Sequence, residues 1–341
     1  MNRHSIPMAC IAITLAAMAA RAGEPRTINE TRPADPAGSV EIVNVAGNVD
    51  VQGWDQPQLE VTGTIGDKVE RVDVTSSGNH ASVRVVLPSG PQWAGDGSAS
   101  LTVHVPRGSA LTVSLVSADL QIADLAGAGH LRTVSGNISG DLDGDARVNT
   151  VSGDVQLKAP DARDLEIKTI SGNVSLYGSG GNVEVSTVSG DAELSLGALS
   201  RGRFQTVSGN FGIGSTLAAG GQIDAESVSG DIIVSFAAAP DAAVDLQSFS
   251  GDIDNCFGPK PETADYGAGT RLLFTSGNGA GRLRVDTKSG NISLCTKAPR
   301  PPKEPHEPKA PKEPNPPVAA TKPLKPVAPP EAPEPPQAPS R

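Results

Sequence analysis

The chain has 341 residues, of which 37% are hydrophobic and only 3% aromatic, while 38 are glycine and 29 are proline. This composition argues against a bulky globular core built on aromatic side chains. The 28 basic and 38 acidic residues give a formal net charge of −10, which disfavours nucleic acid and anionic lipid as partners.

The first predicted element is a secretory signal peptide at residues 1–22. Residues 2–4 form a short polar start, residues 6–20 are apolar, and Ala20-Arg21-Ala22 has the A-x-A form of a cleavage site. A transmembrane anchor is the alternative, but about 15 apolar residues are fewer than the roughly 20 that a span needs. Cys10 precedes most of the apolar stretch, so it does not fit a lipid attachment site. We expect an exported protein with no membrane span once mature, in the periplasm or on the surface of a bacterium.

A β-rich N-terminal cap region is predicted for residues 23–111. The alternating runs VRVVLP at 83–88 and LTVHVP at 101–106 are typical of strands with one buried face. VAGNVDV at 45–51 is a degenerate copy of the phrase that dominates the rest of the chain. We therefore expect the cap to be continuous with the repeats and to cover one of their ends.

Residues 112–297 repeat the phrase T-V-S-G-[DN]-[IV]. Successive copies lie 17 to 21 residues apart up to Ser250, and VSADL around Ser117 fits one interval earlier. A period of this length, made of short alternating segments without helical spacing, predicts an all-β fold. The specific prediction is a single-stranded parallel β-solenoid (β-helix) of about 18–21 residues per coil, with two or three short strands in each coil. The serines of the phrase are Ser135, Ser152, Ser171, Ser189, Ser208, Ser229, Ser250 and Ser289.

The Ser-Gly-Asp/Asn element is interpreted as a corner, because glycine accepts unusual backbone angles and Asp or Asn bonds neighbouring backbone there. The apolar residues before and after the corner are expected to point inward. Asn nearly alternates with Asp along the copies, which separates carboxylates that would repel by about 1 kcal/mol at a spacing of roughly 4.8 Å in water. The predicted corner ladder is Gly136, Asn137, Gly153, Asp154, Gly172, Asn173, Gly190, Asp191, Gly209, Asn210, Gly230, Asp231, Gly251, Asp252, Gly290 and Asn291.

Cys256 and Cys295 each lie six residues after a phrase serine, so they occupy equivalent positions on two coils. A disulfide needs Cα atoms within roughly 4.4 to 6.8 Å, which adjacent coils satisfy and coils two apart do not. Because an exported chain meets an oxidising compartment, we predict a Cys256–Cys295 disulfide, with two free thiols as the alternative.

If those coils are adjacent, the chain between them must leave the repeat. We predict a hairpin excursion near 257–285, with RLLF at 271–274 and RLRV at 282–285 as its strands. This excursion would cap the second end of the solenoid, where an open strand edge would invite end-to-end growth.

The final predicted element, residues 298–341, is a disordered proline-rich tail. It holds 17 of the 29 prolines, so it cannot form a packed core and favours extended polyproline II structure. Setting aside its seven basic and five acidic residues, together with Arg3 and Arg21, leaves 19 basic and 33 acidic residues, a net charge of −14.

The Thr of the phrase suggests a possible binding face, because aligned hydroxyls order water or bind sugars. The simpler interpretation is a threonine ladder that bonds along the stack. This candidate face consists of Thr133, Thr150, Thr169, Thr187 and Thr206.

No catalytic, cofactor-binding or metal-binding residue is predicted. One Ser-Gly-Asp/Asn per coil does not match the calcium-binding nonapeptide repeat, and no nucleophile elbow, zinc motif or phosphate-binding loop occurs. The histidines of the mature chain are scattered, and we interpret each as a surface or strand-edge residue. They are His80, His104, His130 and His306.

The phrase T-V-S-G-[DN]-[IV], VAGNVDVQGWD at 45–55 and the VP-terminated strand pairs resemble a bacterial family of adhesin-like proteins with β-strand repeats. The resemblance covers about residues 39–297 and implies a β-solenoid exposed in the cell envelope. It transfers no catalytic residue.

These observations favour a non-enzymatic envelope protein that serves adhesion or scaffolding through a repetitive polar face. The expected partner is an envelope protein or glycan, and a monomer with capped ends is expected. The alternative is a β-helix enzyme acting on envelope polysaccharide through paired carboxylates.

Overall fold

A computed structural model describes residues 26–88, 96–263 and 269–296. Within these ranges every regular element is a β-strand, so the all-β prediction is confirmed. None of the described residues forms a helix long and apolar enough to cross a membrane. The predicted signal peptide and proline-rich tail lie outside the described residues.

The N-terminal strands mix parallel and antiparallel pairing. β2 runs parallel to β5, β6 and β7, while β3 runs antiparallel to β1 and β6, and β4 antiparallel to β5. β7 spans residue 111, so the cap continues into the repeats without a break. The strands are β1 Arg26–Pro33, β2 Ser39–Trp54, β3 Gln58–Ile65, β4 Arg71–Ser77, β5 His80–Val86, β6 Ala99–Pro106 and β7 Ala110–Leu125.

The central strands stack in chain order with parallel pairing. Each phrase threonine lies beside the threonine of the next copy, from Thr133 through Thr150 and Thr169 onward. The strands after the corner form a second parallel stack, in which β9, β11, β13 and β15 are successive neighbours. The bounds are β8 Gly129–Thr133, β9 Ile138–Leu142, β10 Ala146–Thr150, β11 Val155–Lys158, β12 Asp164–Ser171, β13 Val174–Tyr177, β14 Gly181–Ser189, β15 Ala192–Ser208 and β16 Phe211–Ser229.

At the C-terminal end the order in space departs from the order in the chain. β22 pairs in parallel with β16 on one side and with β18 on the other, and β23 lies in the same way between β17 and β19. The last coil, 281–295, is therefore inserted between the coils at 222–236 and 242–255. These strands are β17 Ile232–Phe236, β18 Ala242–Ser248, β19 Ile253–Asn255, β20 Glu262–Thr263, β21 Thr270–Ser276, β22 Gly281–Ser289 and β23 Ile292–Cys295.

The two strands predicted for the excursion near 257–285 do not pair with each other, so the predicted hairpin is wrong, although the coils on either side of the excursion are adjacent as predicted. RLLF at 271–274 belongs to β21, which runs antiparallel to β18 and covers the outer edge of that coil. RLRV at 282–285 belongs to β22 and does not pair with β21, because its backbone groups are taken by β16 and β18. Of the predicted excursion, only β20 and β21 lie outside the last coil of the stack, whereas β22 lies between two coils.

The core is a column of aliphatic side chains inside the coils. Strand alternation turns every second side chain inward, so Val148 and Val155 are almost fully buried on either side of one corner. Phe204 and Phe211 fill a wider part of the column, with ring centroids 6.2 Å apart. A core this thin depends on its neighbouring coils, because no single coil buries its own apolar face.

Candidate functional site: the columns of the repeated phrase

The corner residues form a continuous hydrogen-bonded ladder. In each coil the backbone N–H of the Asp or Asn donates to the side-chain Oδ1 of its counterpart in the preceding coil, at 2.7 to 3.1 Å. Each side chain thus holds the corner of the next coil in place. In spatial order the ladder is Asp119, Asn137, Asp154, Asn173, Asp191, Asn210, Asp231, Asn291 and Asp252.

Insertion of the last coil makes the alternation of acid and amide complete. Along the chain Asp231 is followed by Asp252, whereas in space Asn291 lies between them. At the other end Asn48 pairs with Asp119 in register, so the degenerate phrase of the cap adds a further amide. Because every carboxylate has amides as its ladder neighbours, repulsion between stacked carboxylates is avoided along this ladder.

The corner glycines are required by close approach between coils. A Cβ on Gly209 would lie 2.1 Å from the carbonyl oxygen of Gly190, and a Cβ on Gly290 would lie 2.1 Å from that of Gly230. Both also have positive φ, 148° and 154°. A side chain at either position would push the neighbouring coils apart, so the backbone itself forms a tight seam between these coils.

The predicted threonine face is not a surface. Thr133, Thr150, Thr169, Thr187 and Thr206 are only 4–6% exposed, because strand alternation turns them inward beside the aliphatic core. The equivalent Thr287 and Ser248 donate their hydroxyls to the carbonyls of Gly230 and Gly290 in the neighbouring coil. The column is a buried part of the corner and is not available to sugar or ordered surface water.

The residue after each threonine points outward, which corrects the prediction that apolar residues on both sides of the corner are buried. Only those after the corner are inside, as Ile138 and Val174 show. Those before it form an exposed aliphatic column, and these side chains are 40–52% exposed. The aliphatic column is Val116, Val134, Val151, Ile170, Val188, Val207 and Val228.

A shallow groove of about 490 Å³ runs over the N-terminal ends of β8, β10, β12 and β14 and over the middle of β15. Glu166 lies in it, 2.5 Å from Nε of Arg147 and bonded to the ammonium of Lys168. Lys168, and after it Arg147, lower the pKa of the Glu166 carboxyl. A general acid for glycoside cleavage needs a raised pKa, so this carboxylate is unsuited to that role.

The carboxyl of Asp50, on β2, has a raised pKa because it is half-buried. Its neighbours in register are Thr102 and Gln121, neither of which is ionisable. Acid–base cleavage of a glycan requires a second carboxylate nearby, and Asp50 has none at these two neighbouring positions.

The histidines do not converge. His80 shares a hydrogen bond of 3.0 Å with the hydroxyl of Ser39, and His104 stacks on Trp54 with ring centroids 4.9 Å apart. His130 lies apart from both, at the groove. Within the described ranges no three His, Cys, Asp or Glu side chains form a group that would hold a metal ion. His306 is outside these ranges.

Cys256 and Cys295 form the predicted disulfide, with Cα atoms 4.9 Å apart. They lie at the ends of the neighbouring strands β19 and β23, where the backbone N–H of Cys256 also donates to the carbonyl of Leu294. The bond ties the inserted coil to the coil outside it.

The fold and its columns define a repetitive all-β protein whose coils are joined through a backbone and side-chain ladder at one corner. The chain belongs to the Toastrack DUF4097 family, whose model matches residues 39–295. The resemblance carried by the repeated phrase is confirmed. A comparison with curated proteins gives no match.

Solved structures similar to the chain include the following three bacterial proteins. A "putative cell adhesion protein" from Clostridium sporogenes has 10% identity and a TM-score of 0.26, covering 80% of this chain and 100% of its own. A "putative adhesin" from Parabacteroides distasonis has 10% identity and a TM-score of 0.43, with coverage of 80% and 98%. Another from Bacteroides fragilis has 11% identity and a TM-score of 0.42, with coverage of 79% and 97%.

Proposed function

We propose that this protein is an exported, non-enzymatic β-solenoid of the bacterial cell envelope that serves adhesion or scaffolding. The observation that carries the proposal is the repetition of the outer surface. Each coil presents the same corner at the strand spacing of about 4.8 Å, so one weak contact is repeated many times along the stack. Many weak contacts that engage together give avidity without a single deep pocket.

The disulfide and the charge support the envelope location. Cys256–Cys295 is the kind of bond that persists in oxidising compartments and is rare in the cytosol. With its net charge of −14, the part of the chain between the predicted signal peptide and tail is a poor ligand for nucleic acid or anionic lipid. Proteins and neutral or cationic glycans of the envelope are the proposed partners.

The alternative, an enzyme acting on envelope polysaccharide, finds less support. The groove with Glu166 is shallow, and its central carboxylate is held in the charged state by two basic side chains. The surface that repeats from coil to coil favours a binding role, because catalysis needs its residues once.

The proposal is tested by retention of isolated envelope fractions on the immobilised mature protein. Peptidoglycan, outer-membrane material and envelope proteins are offered separately, to the full mature chain and to a form ending at residue 298. Retention by both forms identifies the solenoid as the binding module and names its ligand class. Retention by the full chain alone assigns binding to the tail, and retention by neither contradicts the proposal.

A second measurement separates binding from catalysis. Glu166→Gln, Glu184→Gln, Asp145→Asn and Asp164→Asn remove the four groove carboxylates one at a time and leave the corner ladder intact. Binding through a repeated surface predicts retention close to that of the wild type for each variant. Release of soluble sugars by the wild type, abolished by one of these changes, would instead establish the enzyme.

A further inference from the structure

The aliphatic column is a continuous apolar feature of the outer surface. Its members are aligned by backbone bonds, since the carbonyls of Val116, Val134 and Val151 each accept the N–H of the phrase serine in the next coil, at 2.7 to 2.8 Å. Seven rungs at about 4.8 Å give an apolar line roughly 29 Å long. Scattered apolar side chains on a surface need no explanation, but an unbroken line of seven does.

The size of the column matches one side of a protein interface. Seven β-branched side chains, each about half exposed, present on the order of 500 Å² of apolar surface, the upper range for a patch on a monomer. Apolar atoms make up about 60% of a typical interface, so a patch built around this column covers roughly 800 Å² with its polar margins. That is the area one partner contributes to a stable complex of standard size.

The spacing of the column selects the partner. An α-helix repeats its contacts every 5.4 Å and a strand laid along the column every 6.6 to 6.8 Å, so each loses register with rungs about 4.8 Å apart within a few coils. A second copy of the same chain necessarily has the same spacing. The side chains of its aliphatic column can therefore pack between those of the first copy along the whole column.

The C-terminal coils limit the apolar line. The inserted coil places Lys288 in the column between Val228 and Phe249, and its ammonium pairs with Asp286 at 3.2 Å. A charge at this position ends the apolar run before the end of the stack, which confines packing to the central coils. Charged residues at the margin of a β-surface have this role in restricting association.

We propose that the aliphatic column is a self-association surface and that two copies pack column against column in a two-fold dimer. This differs from the monomer expected from the sequence. It is independent of the proposed adhesive role, because envelope retention and dimer mass are separate measurements.

The test is the molar mass of the full mature chain, measured by sedimentation equilibrium between 1 and 100 μM. The wild type is expected at twice the monomer mass at the upper concentrations. The double variant Ile170→Lys with Val188→Lys places two unpaired charges from each copy in the interface, and its dissociation constant should rise at least about tenfold. Its melting temperature should stay near that of the wild type, because both side chains are exposed.

The matched control is Gln121→Lys with Ser139→Lys, which adds the same charge at paired positions of the adjacent strands β7 and β9, after the corner. This variant should remain dimeric. If the lysine variant melts early, Ile170→Thr with Val188→Thr keeps the β-branched shape and should weaken the dimer less. A monomeric wild type at 100 μM, or a dimer that resists both column variants, would overturn the proposal.

Discussion

The central coils and the C-terminal coils use the same phrase but stack differently. From Thr133 to Ser229 the coils stack in the order in which they follow one another in the chain. The last coil instead lies between the two coils that precede it in the chain. The repeat therefore specifies which residues align across coils but does not by itself specify the order of the coils. At the C-terminal end the observed order of the coils keeps aspartate side chains apart, and a disulfide joins the inserted coil to its outer neighbour.

In two columns of side chains, the position of the inserted coil separates aspartates that would otherwise be neighbours. Asn291 separates Asp231 from Asp252 in the corner ladder, and Arg284 separates Asp224 from Asp245 on the neighbouring outer column. Stacking in chain order would have placed each pair of aspartates in direct contact. Opposite or neutral neighbours across a pair of strands stabilise the sheet, and like charges destabilise it.

The largest expected effect comes from filling the glycine seam. Gly209→Ala and Gly290→Ala each place a Cβ about 2.1 Å from a carbonyl oxygen, so the coils must move apart at a positive-φ residue. We expect a loss of about 3 to 5 kcal/mol in the free energy of unfolding. Urea unfolding measures it for both variants, one in a central coil and one in the inserted coil.

The control is Gly212→Ala, because a Cβ there would meet only one atom within 4 Å, at 3.9 Å. Its free energy of unfolding should change by less than about 1 kcal/mol. A small effect for Gly290→Ala beside a large one for Gly209→Ala would mean that the inserted coil is held less tightly than the central ones.

Removing the disulfide should destabilise one end of the molecule more than the rest. Cys256→Ser with Cys295→Ser opens a loop with a sequence separation of 39 residues, and we expect a loss of about 2 to 4 kcal/mol. Amide hydrogen exchange should quicken in β19, β22 and β23 and remain slow in β10 to β14. Uniformly faster exchange would contradict the view that the bond mainly secures the inserted coil.

A third prediction compares the ladder in both regions. Asn210→Asp and Asn291→Asp each create three consecutive carboxylates, so each should cost about 1 to 2 kcal/mol at low salt and less at high salt. Asn210→Asp should cost slightly more, because the Asn210 amide also donates to Asp191 at 3.1 Å. Thermal melting at two ionic strengths checks both variants, and a loss that does not change with salt would argue against repulsion as the cause.

The smallest expected effect concerns pH in the groove. The pKa of Glu166 is lowered by Lys168 and Arg147, so the carboxylate stabilises the fold above its unfolded pKa, and that stabilisation is lost as the pH falls through the folded value. Glu166→Gln should therefore cost a few tenths of a kcal/mol at pH 7, since the pair is partly solvated. The difference from the wild type should shrink as the pH falls below the unfolded pKa, and a difference that grows on acidification would contradict this cause.

The sequence predicts the repeat, the corner and the disulfide because each depends on residue types at fixed spacing. Which face a residue occupies was harder to predict, since a shift of one position inverts the alternation. That is why Thr150 was assigned to the surface and Val151 to the core. Val148 and Thr150 lie two residues apart on β10, so strand alternation places Thr150 on the same buried side as Val148.

The inserted coil has two signs in the sequence. The order Asp231, Asp252, Asn291 breaks an otherwise regular alternation, and Lys288 stands where other copies have Val, Ile or Phe. Periodicity alone does not reveal such an order, because every coil offers the same backbone groups to its neighbours. Only the pairing of particular side chains distinguishes one order from another.

The order of the C-terminal coils is tested most directly by engineered disulfides. Ser293 on β23 pairs in register with Ile233 on β17 and with Asp254 on β19. Ile233→Cys with Ser293→Cys should therefore form a disulfide, found by mass spectrometry of unreduced peptides. Ile233→Cys with Asp254→Cys should not, since these positions lie two strands apart, about 9.6 Å, beyond the reach of the bond. The opposite result, a bond between positions 233 and 254 and none between 233 and 293, would mean that the coils stack in chain order.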